Sequence, residues 1–255
     1  MLNIVVPMAG RGQRFVDAGY SRPKPLIPVN DRPMIELVIA NLRPRRAHRF
    51  HFLVQAEHLR RHDLGAMLRA WAPGCSVVPV DGVTEGAACT VLLARALVDE
   101  DAPLMIANCD QYVDVDIERY LDALADADGL IMTMWADDPK WSFVRRDGSG
   151  RVAEVVEKRV VSNEATVGVY NFRSGADFLR AADAMIAADE RVNGEFYVAP
   201  VYNRLIAAGA DIRCYDVGSA GDGMYGIGTP ADLEAFCRDP ASLRAIGALS
   251  QTGAA

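Results

Sequence analysis

The sequence predicts an α/β fold in which a mixed, mainly parallel sheet is flanked by helices and followed by a small antiparallel lobe. Three observations carry this expectation. Short, nearly continuous apolar runs alternate with helically spaced segments over the first half of the chain, as in βαβ units. A glycine loop, Gly10-Arg11-Gly12, follows the first apolar run, where an open α/β sheet carries its ligand loop. Beyond Gly129, apolar segments flank the turn Asp147-Gly148-Ser149-Gly150 in the manner of an antiparallel hairpin.

The elements follow in order. Asn3-Ile4-Val5-Val6-Pro7 reads as a buried parallel strand. Pro33 to Leu42 has helical apolar spacing with proline at its start, and Pro44 stops it. His51 to Gln55 is the second strand, Leu59 to Trp71 a helix and Ser76 to Val80 the third strand, linked by right-handed crossovers. Thr84 to Leu97 reads as a helix whose first turn is crowded with small residues, which let a flat or anionic group, or simply a neighbouring strand, lie against the backbone. Pro103 to Gln111 is an apolar strand that ends on the carboxylate of Asp110, and Asp116 caps a helix from Ile117 to Leu124.

In the second half, Gly129 to Trp135 is a core strand. Ser142 to Val144 and Arg151 to Val156 form the hairpin, with the charged pair Glu157-Lys158 at its end. Thr166 to Phe172 is a strand containing Gly168, and an interior strand glycine marks close approach of a ligand or a backbone. Helices over Gly175 to Ala188 and Phe196 to Ala208, a strand over Ile212 to Val217, a glycine-rich passage from Gly218 to Gly228 and a helix capped at Thr229-Pro230 complete the pattern. The expected organisation is one domain over residues 1–246, halved near residue 128, with residues 247–255 as a flexible tail.

Composition narrows the function. With 255 residues, a net charge of −7 and a pI near 5.2, the chain lacks the basic face that nucleic-acid or membrane-surface binding requires. No apolar run approaches the ~18 residues of a spanning helix, and the opening residues form a strand instead of a signal peptide, so a cytoplasmic protein is expected. Five widely spaced cysteines without any C-x-x-C pair read as reduced thiols, not as a disulfide or zinc framework. Cys109 is the one beside a functional candidate, and a small buried filler is the simpler account of it.

Charge is nonetheless concentrated at one place. Arg11, Arg14, Arg22 and Lys24 face a single nearby acid, Asp17, while Gly10 and Gly12 let backbone N–H groups approach an anion closely. Pro23 and Pro25 stiffen the chain on either side of Lys24, which lowers the entropy lost when its ammonium is fixed on a phosphate. Ligands in such sheets lie beyond the carboxyl ends of the strands, so Asp110 is expected to face the same crevice. A hard carboxylate there suits Mg²⁺ bridged to substrate phosphates, and a turn aspartate is the plainer alternative.

With these residues in view, the chain resembles the sugar-1-phosphate nucleotidylyltransferases, or nucleotide-sugar pyrophosphorylases, in their short form without a C-terminal β-helix. The resemblance rests on Met8 to Phe15, followed by Pro23-Lys24-Pro25-Leu26-Ile27-Pro28-Val29 and Arg32-Pro33-Met34-Ile35, with Asn108-Cys109-Asp110, Glu157-Lys158, Gly168-Val169-Tyr170 and Gly228-Thr229-Pro230 further on. It implies the nucleotide-diphospho-sugar transferase fold, an NTP and a phosphorylated small molecule as partners, and Mg²⁺ as cofactor. Arg14, Lys24, Asp110 and Lys158 are then the catalytic set. Met8, Ala9, Gly10, Arg11, Gly12, Gln55, Glu85, Gly86 and Ala87 would hold the nucleotide, and Asn108, Glu157, Lys158, Gly168, Tyr170 and Asn193 the acceptor.

Two departures from the resemblance stand out. An aspartate expected two residues before Gly228 is Gly226 here, so either Asp222 substitutes from the preceding loop as the second metal ligand or one carboxylate holds the metal. Asn193-Gly194-Glu195 lacks an arginine that often precedes Gly-Glu. The implied product is an activated sugar for surface polysaccharide synthesis. The alternatives are a cytidylyl-type transfer to a phosphorylated non-sugar acceptor and a catalytically silent nucleotide-sensing subunit, with a homo-oligomer left open. A dinucleotide oxidoreductase is disfavoured, because the loop continues into an extended Pro-Lys-Pro segment.

Overall fold

The computed structural model describes residues 1–252. The chain begins with β1 (Leu2–Met8), whose alternate side chains enter two cores on opposite faces of the sheet: Leu2, Ile4, Val6 and Met8 on one, Val5 on the other. A short α1 (Gln13–Asp17) follows the glycine loop. The two-residue strands β2 (Pro28–Val29) and β3 (Arg32–Pro33) pair with each other ahead of α2 (Met34–Leu42), which buries Met34, Ile35, Leu37, Val38, Ile39 and Leu42.

Strand β4 (His48–Gln55) lies parallel to β1 and starts three residues earlier than expected. The single helix expected over Leu59 to Trp71 is two, α3 (Ala56–His62) and α4 (Leu64–Trp71), broken at Asp63 with φ +49°. Aspartate tolerates this left-handed conformation, and the break lets α4 bury Leu64 and Leu68 while α3 keeps its basic side chains outward. Next come β5 (Ser76–Val80), α5 (Ala87–Leu92) and a 3-10 turn at Arg95–Leu97, where one continuous helix had been expected.

Strand β6 (Leu104–Ala107) ends before Asp110, and β7 (Gln111–Val113) begins just after it. Helix α6 (Ile117–Asp122) is capped by Asp116, whose carboxylate accepts the Glu118 N–H. The second half supplies β8 (Gly129–Trp135), the hairpin β9 (Ser142–Arg146) and β10 (Val152–Glu157), β11 (Glu164–Phe172) and α7 (Gly175–Ala187). A 3-10 turn at Ala199–Val201 and α8 (Tyr202–Ala207) replace the longer helix expected from Phe196. Strands β12 (Ile212–Ala220) and β13 (Gly223–Gly226) precede α9 (Pro230–Arg238), capped by Thr229. Helix α10 (Pro240–Thr252) carries regular structure past Gly247, where a flexible tail had been expected, and residues 253–255 of that tail lie outside the described residues.

The main sheet has the order β5-β4-β1-β6-β11-β8-β12-β13-β7. Strands β5, β4, β1 and β6 are parallel, β11 runs antiparallel between β6 and β8, and the β9–β10 hairpin attaches through β9 to β11. This is the mixed, mainly parallel α/β sheet with an antiparallel addition that the sequence predicts.

Two pairings create the site. The antiparallel pair β13–β7 sets Gly226 opposite Gln111, so that Ile227 N donates to the Asp110 carbonyl at 2.9 Å. The outer edge of β7, at the end of the sheet, is covered by Asn41, whose amide exchanges two hydrogen bonds with the Val113 backbone, at 2.8 and 2.9 Å. On the other side, Asn108 N donates to the carbonyl of Gly168 at 2.9 Å. Gly168 has φ +82° where the register of β11 against β8 shifts, and a β-carbon there would collide with the Asn108 and Gln111 side-chain amides.

Candidate active site

The glycine loop turns because Gly12 takes φ +62°, and the Lys24 stem packs into the space a side chain at Gly12 would fill. Pro25 and Leu26 are buried in a 3-10 turn that starts at Lys24, so the lysine is held from both sides. Its ammonium forms an ion pair with Oδ2 of Asp110, joining the loop to the β6–β7 junction. Burial alone pulls the Lys24 pKa down, but the Asp110 carboxylate outweighs it and the pKa is raised. Gly228 makes room for this carboxylate, since a β-carbon there would come within 2.6 Å of Asp110 Oδ2.

Two adjoining cavities share Asn108 and Asp110. The smaller, of ≈ 230 Å³, lies over the loop and is lined by Met8, Gly10, Gly12 and Lys24. The larger, of ≈ 390 Å³, extends to the second half of the chain and includes Arg14, Ala87, Glu157, Lys158, Gly168 and Tyr170. Arg14, Asp110 and Lys158 thus line the larger cavity, and Lys24 lines the smaller one that shares Asp110 with it.

Polar chemistry in the larger cavity is buried and mostly committed. Ser142 Oγ donates to Glu157, whose pKa burial pushes up. The Tyr170 and Thr166 hydroxyls are 2.9 Å apart, and burial raises the Tyr170 pKa, so the phenol keeps its proton. Lys158 has φ +58°, donates to the Lys140 carbonyl at 2.7 Å and lies 5.7 Å from the Tyr197 ring centre. A non-glycine residue in this conformation is uncommon and concentrates at functional sites. Cys109 lines the smaller cavity, and burial pushes its thiol up to about 12, so it stays protonated.

Some expected residues act at one remove. Gln55 Nε2 donates to the Ala9 carbonyl at 2.8 Å and so fixes the glycine loop. Arg11 lines a separate cleft on the outer side of the loop. The turn at Glu85 and Gly86 is docked on Phe196: Phe196 N donates to the Glu85 carbonyl at 2.8 Å, and Gly86, at φ +130°, leaves no room for a side chain against the Phe196 backbone. The Glu85 carboxylate is paired with Arg191 at 2.5 Å.

Two more, Asn193 and Asp222, also stand outside both cavities. Asn193 is exposed at a tight turn closed by the Val192–Glu195 bridge and lines neither cavity. Asp222 is exposed at the tip of the β12–β13 turn, where Ser219 and Asp222 exchange backbone hydrogen bonds of 2.7 and 3.0 Å, and it too lines neither cavity. A further aspartate lines the larger cavity with Asp110: Asp232, in the first turn of α9, which the sequence reading missed. It accepts from Thr229 Oγ1 at 2.7 Å and lies at van der Waals distance from a β-carbon placed at Gly226.

Gln111 was missed as well. It is 4% exposed, lines the larger cavity, and its Nε2 is buried with no hydrogen-bond partner. An unpaired buried amide donor costs about 1–3 kcal/mol, which a ligand oxygen would recover.

The family model for nucleotidyl transferases matches residues 4–201. Among curated proteins, the chain is similar to the bifunctional protein GlmU of Burkholderia multivorans, at 28% identity over 225 residues, 83% of this chain and 46% of that protein. The chain thus spans about half the length of the curated relatives it matches. Among solved structures it is similar to the nucleoside-diphosphate-sugar pyrophosphorylase from Vibrio cholerae RC9, with a TM-score of 0.76 and 26% identity over 92% of this chain and 99% of that one. The inositol-1-phosphate CTP transferase from T. maritima shares the fold, with a TM-score of 0.73 at 16% identity over 97% and 95% of the two chains.

Proposed function

This chain belongs to the nucleotidyl transferase family, and from that premise we propose that it transfers a nucleoside monophosphate from an NTP to a sugar 1-phosphate. Pyrophosphate leaves, and the product is a nucleoside-diphosphate sugar for surface polysaccharide synthesis. The observation that carries this reading is the pair of cavities meeting at Asn108 and Asp110, one over a cationic glycine loop and the other lined by Glu157, Ser142, Thr166 and Tyr170. The first suits phosphates and the second a polyhydroxylated acceptor.

In this reading the triphosphate lies along Met8, Gly10 and Gly12, with Lys24 and Arg14 on its phosphates, while Ala87 and the Glu85–Gly86 turn border the base. Glu157, Gln111 and Asn108 orient the acceptor, and Lys158 attracts its phosphate. One oxygen of that phosphate attacks the α-phosphorus in line; the new P–O bond forms as the bond to the β-phosphate breaks. Two anions must approach each other, so fixed cations contribute more than any nucleophile.

The donor set fits Mg²⁺. Asp110 and Asp232 line one cavity, and Mg²⁺ is ordinarily held by one or two carboxylates together with substrate phosphates, not by an all-protein cage. When bound, Mg²⁺ neutralises phosphate charge. Gly228 leaves the space that the Asp110 carboxylate needs.

Incubation with each NTP, Mg²⁺ and a panel of sugar 1-phosphates and non-sugar phosphates, followed by pyrophosphate release, tests the reading. Release is expected with at least one NTP and sugar 1-phosphate pair. Turnover with non-sugar phosphates alone would move the acceptor class, and nucleotide binding without release from any pair would contradict the enzymatic reading.

A further inference from the structure

On the outer side of the glycine loop lies a second cleft that the reaction above leaves unused. It is a cavity of ≈ 180 Å³ between the segment that follows Gly10 and helix α3. This is below the about 300–1,000 Å³ that a drug-sized ligand fills, so its occupant is small. Four cations line it, Arg11, Arg22, Lys24 and Arg61, against one acid, Glu57, which is already paired to Arg61 at 3.0 Å. His58 also lines it, and the His58 Nδ1 is buried with no hydrogen-bond partner. Cations on two walls and an unsatisfied imidazole nitrogen complement a compact polyanion with more than one charged group.

The position of the cleft adds to its charge. It shares Gly12 and Lys24 with the phosphate cavity, and the Lys24 stem packed on Gly12 stands between the two. An anion released from Lys24 therefore meets Arg11, Arg22 and Arg61 on the far side.

We propose that this cleft is a binding station for inorganic pyrophosphate, holding the leaving group after it passes Lys24 and before it enters solvent. No bond is made or broken there. The proposal rests on pyrophosphate being the leaving group in the reading above.

Equilibrium dialysis of the full chain against labelled inorganic pyrophosphate and Mg²⁺, with and without a saturating non-hydrolysable NTP analogue, tests it. Two pyrophosphate ions per chain are expected without the analogue, and one is retained when the analogue fills the main site. Arg61→Glu and His58→Ala, which touch neither cavity of the proposed active site, weaken the retained ion about tenfold or more and leave analogue binding unchanged, while Arg61→Lys restores much of the loss. Complete displacement of pyrophosphate by the analogue, or retained binding that ignores Arg61→Glu, overturns the proposal. Orthophosphate competing as well as pyrophosphate overturns it too, since the cleft would then be a general phosphate site. A chain that binds pyrophosphate through Arg61 but binds no nucleotide would contradict the assigned reaction, and with it the cleft's role as a product station.

Discussion

The Lys24 ammonium is paired with the Asp110 carboxylate across 86 positions of sequence, and this contact ties the cationic loop to the sheet end where the two cavities meet. Both side chains keep partial solvent access, at 19% and 27%, so the pair is open to a ligand from the crevice. Lys24→Ala removes one fixed cation from a site where two anions must meet. A loss of about 3 kcal/mol in transition-state stabilisation, roughly a hundredfold in kcat, is expected in steady-state pyrophosphate release, with the far-UV circular dichroism unchanged.

Gln111 offers a sharper separation of roles. Its Nε2 is a buried donor without a partner in the free protein. Gln111→Leu is expected to raise the KM for the acceptor about tenfold and to leave the NTP affinity alone. Urea unfolding should show stability held or increased, because the change removes an unsatisfied donor. A residue needed only for packing would give the opposite result, lost stability with an unaltered KM.

The two aspartates that line the larger cavity should divide from the one at the turn. Asp232→Asn and Asp110→Asn are expected to raise the Mg²⁺ concentration for half-maximal turnover at least about tenfold, and Asp222→Asn to leave it where it was. Titration of Mg²⁺ at saturating NTP measures all three.

Stability carries its own pH dependence. His51 is fully buried in β4, with Nε2 3.1 Å from Asn3 Oδ1, and burial, helped by the charge of Arg49, lowers its pKa to about 4. Between about 6.5 and 4 the unfolded chain binds a proton that the folded chain refuses, so this contribution is present above pH 6.5 and is lost as pH falls through that window. It amounts to roughly 3 kcal/mol between pH 7 and pH 4. Urea midpoints across that range should fall more steeply for the natural chain than for His51→Gln, and parallel curves would contradict the assignment.

Much of this was legible before the fold was known, because local residue types dictated it. The apolar run before Gly10, the proline-braced Lys24 and the carboxylate after Ile106 each announce a strand end or a loop by their own chemistry. Asp110 and the glycine loop could be placed in one crevice because parallel strands deliver their carboxyl ends to one side. Asp232 could not be found that way. As the third residue after Thr229 it reads as the partner of a helix cap, a role it does fill, and only the β13–β7 pairing brings that cap to the cavity that Asp110 lines. Gln111 gave no signal either, since a missing hydrogen-bond partner exists only in three dimensions. The break at Asp63 was hidden for a related reason: helical spacing continues across it, while burial of Leu64 and Leu68 favours a new helix direction.

The central claim is that the triphosphate held beside Lys24 and Asp110 is attacked directly by the acceptor phosphate, without a covalent enzyme intermediate. An NTP carrying a single sulfur of defined configuration on its α-phosphorus tests this in one turnover. Inversion at phosphorus in the isolated product is the expected result of one in-line displacement. Retention would contradict the account, because it requires two displacements and a nucleophile on the protein.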